Sequence, residues 1–267
     1  MLGAVALHAA EWLAAALFAL WLVSLARRDA SIVDPFWSTG FAGVAWVGLA
    51  TCGGPSPRSW LVAALTTVWA LRLSGHLFLR NRGHGEDFRY QAMRRRHGAR
   101  FPLVSLFSVF LLQGAILWVV SLPLQVAMAR GGGPLGWVDA LGAALWAIGF
   151  AFEAVADRKL TRFRSDPANR GKVLRRGLWA LTRHPNYFGD ALLWWGLAAF
   201  ALPLAPWTVV SPVLMTFLLV KVSGVALLEK DIAERRPEYR DYLKTTNAFL
   251  PGWRRRGLRV RVEQDSA

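Results

Sequence analysis

A chain of 267 residues that is 54% hydrophobic, with 14 tryptophans, gathers its apolar residues in long blocks, so it reads as a polytopic membrane protein rather than as one or two soluble domains. Its net charge of +15 sits in the connections between those blocks, where basic residues report topology before they report nucleic acid. The single Cys52 excludes an internal disulfide framework.

A membrane span needs about 20 apolar residues. Seven are expected in chain order, at roughly 4–26, 33–51, 60–79, 103–128, 135–157, 187–204 and 207–228. The first has no basic segment before it and is long enough to span, so no cleavable signal peptide is expected. The second is interrupted by Gly40, Gly43 and Gly48, and the sixth is short. Lysine and arginine crowd the segments 27–32, 80–102, 158–186 and the tail from 229, whereas 52–59 and 129–134 hold only Arg58 and Arg130. That asymmetry puts the N-terminus outside and the C-terminus in the cytoplasm. The expected fold is all-α: one seven-helix membrane domain over 1–252, then a basic cytoplasmic tail over 253–267. In that tail Arg254-Arg255-Arg256 suits contact with anionic headgroups.

Several polar residues fall where lipid should be. Asp34, in Asp34-Pro35-Phe36-Trp37-Ser38, stands at the mouth of the second span, either as a helix N-cap or as a proton donor or hydrogen-bond partner for a substrate group. Arg72 and His76 share a face of the third span. Just beyond them comes the stretch Asn81-Arg82-Gly83-His84-Gly85-Glu86-Asp87-Phe88-Arg89-Tyr90. There the glycines allow close backbone approach to a ligand, and Arg82, His84 and Arg89 offer phosphate donors; the alternative is a solvated basic loop. Glu153, Asp157 and Arg164 fall within roughly 40° of one another on a helix, as the lining of a polar site or as an ion-pair ladder. Lys172, Arg175 and Arg176 follow in the next connection.

The run Arg183-His184-Pro185-Asn186-Tyr187-Phe188-Gly189-Asp190 opens the sixth span. Pro185 suits a first helical turn, and Asn186, Tyr187 and Asp190 then share one side of the helix. A membrane-interface anchor, with Tyr187 in the headgroup belt and Arg183 and His184 snorkelling, is the alternative. Lys221 lies deep among apolar residues with Glu229 eight residues on, so it needs a partner or a ligand anion unless it snorkels. No Cys/His set has metal spacing, so no metal is expected. Together these groups describe a pocket for a large anionic cofactor entering from the cytoplasm, with an apolar substrate arriving from the bilayer.

The Arg183–Asp190 stretch resembles the signature of membrane steroid and sterol reductases. With Asp34-Pro35-Phe36-Trp37, Glu86-Asp87-Phe88-Arg89-Tyr90 and Pro237-Glu238-Tyr239-Arg240-Asp241-Tyr242, the chain looks like a bacterial member of the steroid 5-alpha-reductase family from about 30 to 252. The wider superfamily also holds isoprenylcysteine carboxyl methyltransferases, which use S-adenosylmethionine. The resemblance implies NADPH and hydride transfer to the C=C bond of a lipophilic enone, in a monomer of the bacterial inner membrane. Its catalytic residues are expected at Asp34 and Tyr187. The cofactor residues are expected at Asn81, Arg82, His84, Asp157, Arg164, Lys172, Asn186, Asp190, Lys221 and Glu229. The family's substrate-polarising acid falls near Asp34, and its tyrosine partner falls on Ala70 or Trp69. Two other readings remain open: a membrane methyltransferase using S-adenosylmethionine, and a lipid-binding protein without chemistry.

Overall fold

The computed structural model describes residues 1–222, 224–229, 232 and 238–252. The expected basic tail with Arg254-Arg255-Arg256, and Pro237 of the last motif, lie outside the described residues. Among the described residues the chain is helical, without a strand. It divides into two compact units: Met1–Trp146 with Trp194–Met215, and Ala147–Leu193 with the described residues from Thr216 onward. Five stretches of helix are long and apolar enough to cross a membrane, as an integral membrane protein requires: Leu2–Arg27, Pro57–Asn81, Phe88–Val120, Trp137–Ser165 and Pro206–Glu229.

In the first unit, α1 (Leu2–Arg27) buries Val5, Ala9, Leu13 and Leu17, one residue per turn, and ends where Arg28 turns left-handed. Helix α2 (Val33–Thr51) runs unbroken through its glycines. Those glycines are packing sites: a Cβ on Gly40 would lie 2.5 Å from Leu117, and one on Gly43 would lie 2.0 Å from the Trp12 indole. Helix α3 (Pro57–Asn81) starts at a Ser56 cap with proline in its first turn. Ser38 and Ser74 tie α2 to α3 by donating to Ala70 O at 3.1 Å and Pro35 O at 2.8 Å. The rings of Phe41, Trp69 and Trp194 close the core of this unit, with Phe41 and Trp194 only 4.4 Å apart.

The expected fourth span, 103–128, is divided differently. Helix α4 (Phe88–His97), α5 (Phe101–Ser105), a wide turn over Leu106–Leu111 and α6 (Leu112–Val120) form one run, which stops at Ser121. Pro123, which has no N–H to continue the ladder, then sits in the first turn of α7 (Leu122–Arg130). Arg58 and Asp139 join the start of α3 to the start of α8 (Trp137–Ser165) through bonds of 2.6 and 2.8 Å.

Helix α8 runs eight residues past the expected end of its span, and its part from Ala147 onward belongs to the second unit. With it are α9 (Leu178–Leu181), the first part of α10 (Pro185–Ala199), α12 (Val225–Glu229) and α13 (Tyr239–Thr245). Helix α11 (Val210–Phe217) precedes a wide turn at Leu218–Val222. In the second unit α8 and α10 meet backbone to backbone. A Cβ on Gly149 would lie 2.5 Å from both Gly189 O and Leu193 N, and one on Gly189 would lie 2.5 Å from Glu153 N. Only glycine permits that approach.

Candidate functional site

The expected site residues divide between the units: Asp34, Asn81, Arg82 and His84 belong to the first, the others to the second.

In the second unit the segment entering α10 is held like an added strand. Arg183 N donates to Asn247 O at 2.9 Å and Gly252 N to Leu181 O at 3.0 Å, while the Thr182 hydroxyl reaches Ala248 O and Phe249 O. Tyr242 donates to Trp179 O beneath it. This clamp buries Arg183 and His184 to 8% and 5% exposure, so neither snorkels to an interface. Glu229 meets both: Arg183 Nε and Nη2 donate to its two carboxylate oxygens at 2.7 and 2.9 Å, and His184 Nε2 lies 2.8 Å from Oε1. Arg183 Nη1 also donates to the carbonyls of Leu243 and Thr246. The guanidinium therefore holds its proton more tightly than usual: burial opposes this, but the Glu229 hydrogen bonds and charge outweigh it. Tyr239 donates to Glu229 Oε1 at 3.4 Å, and burial with that carboxylate nearby pushes its phenol well above the ordinary tyrosine range.

Glu229, expected on the cofactor, is instead the counter-charge of this clamp. Lys221, which lies among apolar residues in the sequence, is exposed on the wide turn.

Tyr187 stacks on His184, with ring centres 5.6 Å apart and planes 10° from parallel, and Gly224 leaves room for its ring. Asn186, Tyr187 and Asp190 share the opening turns of α10, as their spacing predicts. Asn186 Oδ1 is buried and accepts no hydrogen bond among the described residues. Of the stripe on α8, Glu153 and Asp157 are buried, whereas Arg164 is exposed beyond them. Arg164 lines a groove with Asp166, Asn169, Arg170 and Gly171, and the exposed Lys172 follows directly. Asp166 is occupied locally, accepting from Ala168 N at 2.9 Å and Asn169 Nδ2 at 3.2 Å.

In the first unit Asp34 is not a cap. It lies inside the first turn of α2, whose N-cap position is Ile32. Its Oδ1 accepts from the Tyr90 hydroxyl at 2.9 Å and its Oδ2 from Arg89 Nη2 at 2.8 Å. The tyrosine beside Asp34 is thus Tyr90. Trp69 and Ala70, where that partner was expected, are fully buried in the core. Arg89, expected as a phosphate donor, is spent on Asp34 and on Asp87, which it meets at 2.8 Å through Nε. Asp87 also caps α4 by accepting from Arg89 N. Glu86 accepts from Ala30 N at 2.9 Å and from Arg94 at 2.8 and 3.0 Å. Burial alone would raise both acids, but the Arg94 and Ala30 donors on Glu86, and the Arg89 donors on Asp87, hold each below its usual range.

Asn81 ends α3 half-buried and accepts from Arg80. Arg82 and His84 are exposed, with His84 Nδ1 3.1 Å from Arg82 O. Gly83 and Gly85 there have φ of 80° and 70°, so the turn itself requires them. No group of three metal-ligating side chains occurs among the described residues. Tyr90 escapes sequence reasoning as a partner because it meets Asp34 across 56 positions; Arg94 and Tyr239 lie only eight and ten residues from Glu86 and Glu229, a separation at which no helical spacing pairs them.

No solved structure matches the chain. An uncharacterized protein of Schizosaccharomyces pombe is 27% identical over 263 residues, covering 87% of this chain and 75% of that protein. Residues 20–246 match a family model described as "Protein of unknown function (DUF1295)". With most of its length inside that match, the chain belongs to the DUF1295 family.

Proposed function

We propose that this protein is a membrane-embedded oxidoreductase that uses NADPH to reduce the C=C bond of a lipophilic enone, as its likeness to steroid 5-alpha-reductases implies. The observation that carries the reading is the Tyr90–Asp34–Arg89 set, a phenol on a carboxylate that an arginine already neutralises. Reduction of an enone needs a donor at the carbonyl oxygen, where enolate charge develops. Tyr90 is that donor once its hydroxyl turns from Asp34 Oδ1 to the carbonyl oxygen, and Asp34, held by Arg89, positions the phenol until then. Tyr90 thereby takes the polarising role expected of Asp34.

Asn186 is suited to a carboxamide, because its buried Oδ1 has an acceptor to offer. Tyr187 and Asp190 flank it on α10, and Arg164 and Lys172 offer charge to phosphates. When bound, NADPH would supply the hydride for the β-carbon. Arg82 and His84, exposed on a glycine turn, are further candidates for phosphate contact.

The same reading takes α2 and α10 as spans beside the five longer stretches, giving seven, with the N-terminus outside and the C-terminus in the cytoplasm of a bacterial inner membrane. The lopsided placement of lysine and arginine supports that orientation. Single cysteines placed at Gly54 and Gly171 in a Cys52→Ser background should label from opposite sides of intact cells; labelling from one side would sink the orientation.

A second reading, lipid binding without chemistry, draws support from how thoroughly the charges pair with one another in the Arg183–His184–Glu229 and Arg58–Asp139 sets. Direct binding of NADPH to the purified, detergent-solubilised protein separates the two, with S-adenosylmethionine run alongside. NADPH binding lost in Asn186→Ala and Arg164→Ala supports the reductase. Binding of S-adenosylmethionine alone makes the protein a methyltransferase. If neither binds, the lipid-binding reading stands.

A further inference from the structure

The first part of the run Phe88–Val120 carries five arginines, Arg89, Arg94, Arg95, Arg96 and Arg100. Two are consumed inside the fold: Arg89 on Asp34 and Asp87, and Arg94 on Glu86. Arg95, Arg96 and Arg100 are exposed, and no carboxylate pairs with them among the described residues. No Asp or Glu occurs between Gln91 and Val138, and the acids just upstream, Glu86 and Asp87, are engaged by Arg94 and Arg89. The half-buried Asp29 caps the turn before α2, accepting from Ser31 N at 2.8 Å.

The three arginines are followed at once by apolar surface. Leu103 and Phe107 are 62% and 60% exposed. Arg100, Leu103 and Phe107 follow one another at spacings of three and four through α5 and into the wide turn, while Arg95 and Arg96 close α4 just before the break at Gly98, whose φ is 51°. The junction between charge and apolar surface is also rigid. The Arg94 guanidinium lies 4.1 Å over the Phe101 ring, and Trp21 Nε1 of α1 donates to Pro102 O at 3.0 Å. The exposed Arg27 and Arg28 end that same helix.

We propose that Arg95, Arg96 and Arg100, continued by Leu103 and Phe107, form a binding site for an anionic phospholipid, with the phosphate on the arginines and an acyl chain along Leu103 and Phe107. The charge selects an anionic over a zwitterionic headgroup. Arginine forks suit phosphate oxygens, and the apolar stripe accounts for a lipid rather than a free anion. The proposal does not depend on the reductase reading.

Native mass spectrometry of the full chain in detergent tests it, with equal amounts of phosphatidylglycerol and phosphatidylcholine added and the retained lipid counted. The wild type should retain phosphatidylglycerol in preference. That preference should fall about fivefold for each arginine removed in Arg95→Gln, Arg96→Gln and Arg100→Gln, singly and together. The triple Lys variant should keep most of it. A charge-matched control carrying Arg158→Gln, Arg162→Gln and Arg176→Gln should behave as wild type.

An unchanged preference in the Gln variants would overturn the site, as would an equal loss in the control, which would mean that net charge alone sets it. Displacement of the lipid by millimolar inorganic phosphate would overturn it too, by identifying a simple anion site. The single variants keep the test decisive if the triple variant misfolds.

Discussion

Arg183 is nine-tenths buried, and its charge is tolerable because Glu229 grips it with two hydrogen bonds while the carbonyls of Leu243 and Thr246 accept from Nη1. Glu229→Ala should therefore cost about 3 kcal/mol, read as a fall in the thermal unfolding midpoint in detergent, because it leaves a buried guanidinium without its counter-charge. A loss close to zero would mean the guanidinium escapes to solvent. Tyr90→Phe is a different kind of change. It keeps the ring and removes the hydroxyl from Asp34. Under the proposed function it should lower turnover about a hundredfold or more while NADPH binding stays near wild type. Equal losses in both would mean that Tyr90 only holds the fold.

Glu86 locks the loop before α4 to the turn before α2 through Arg94 and Ala30 N, with its side chain only 8% exposed. Its folded carboxyl titrates below the usual 4.5, so the lock contributes fully above that pH and is lost as pH falls through the lower, folded value. The stability difference between wild type and Glu86→Gln should accordingly shrink as the pH is lowered below about 4.5 in an unfolding series. A difference that grew on acidification would contradict the assignment. At the meeting of α8 and α10, Gly149→Leu forces a side chain into backbone atoms 2.5 Å from its Cβ. It should cost about 3 kcal/mol, far more than a leucine at the open Gly75, and the comparison is read by thermal unfolding of the two variants.

At the scale of the whole molecule, large apolar side chains face outward along the long helices, among them Leu71, Phe78, Leu79 and Trp137, each more than half exposed. Such a surface is at home in lipid, so the protein should stay with membranes through alkaline carbonate and leave only with detergent; release by carbonate would contradict a spanning chain. That much was legible in the sequence. Hydropathy pointed to the helical class and the extent of α2, and the fixed φ of Pro185 to the start of α10, because each is a local property of composition and backbone sterics. Asp34, Glu153 and Lys221 stood out for the same reason, since a charge in an apolar block declares itself, whereas Asn81, Arg82 and Lys172 rested on the family likeness. Their partners were not. Tyr90 for Asp34 spans 56 positions and Glu229 for Arg183 spans 46, and pairings at that distance depend on how helices pack rather than on spacing. The glycine contact of α8 with α10 and the turn that carries Lys221 outward were likewise decided only in three dimensions, where backbones must fit and every buried charge must find an opposite one.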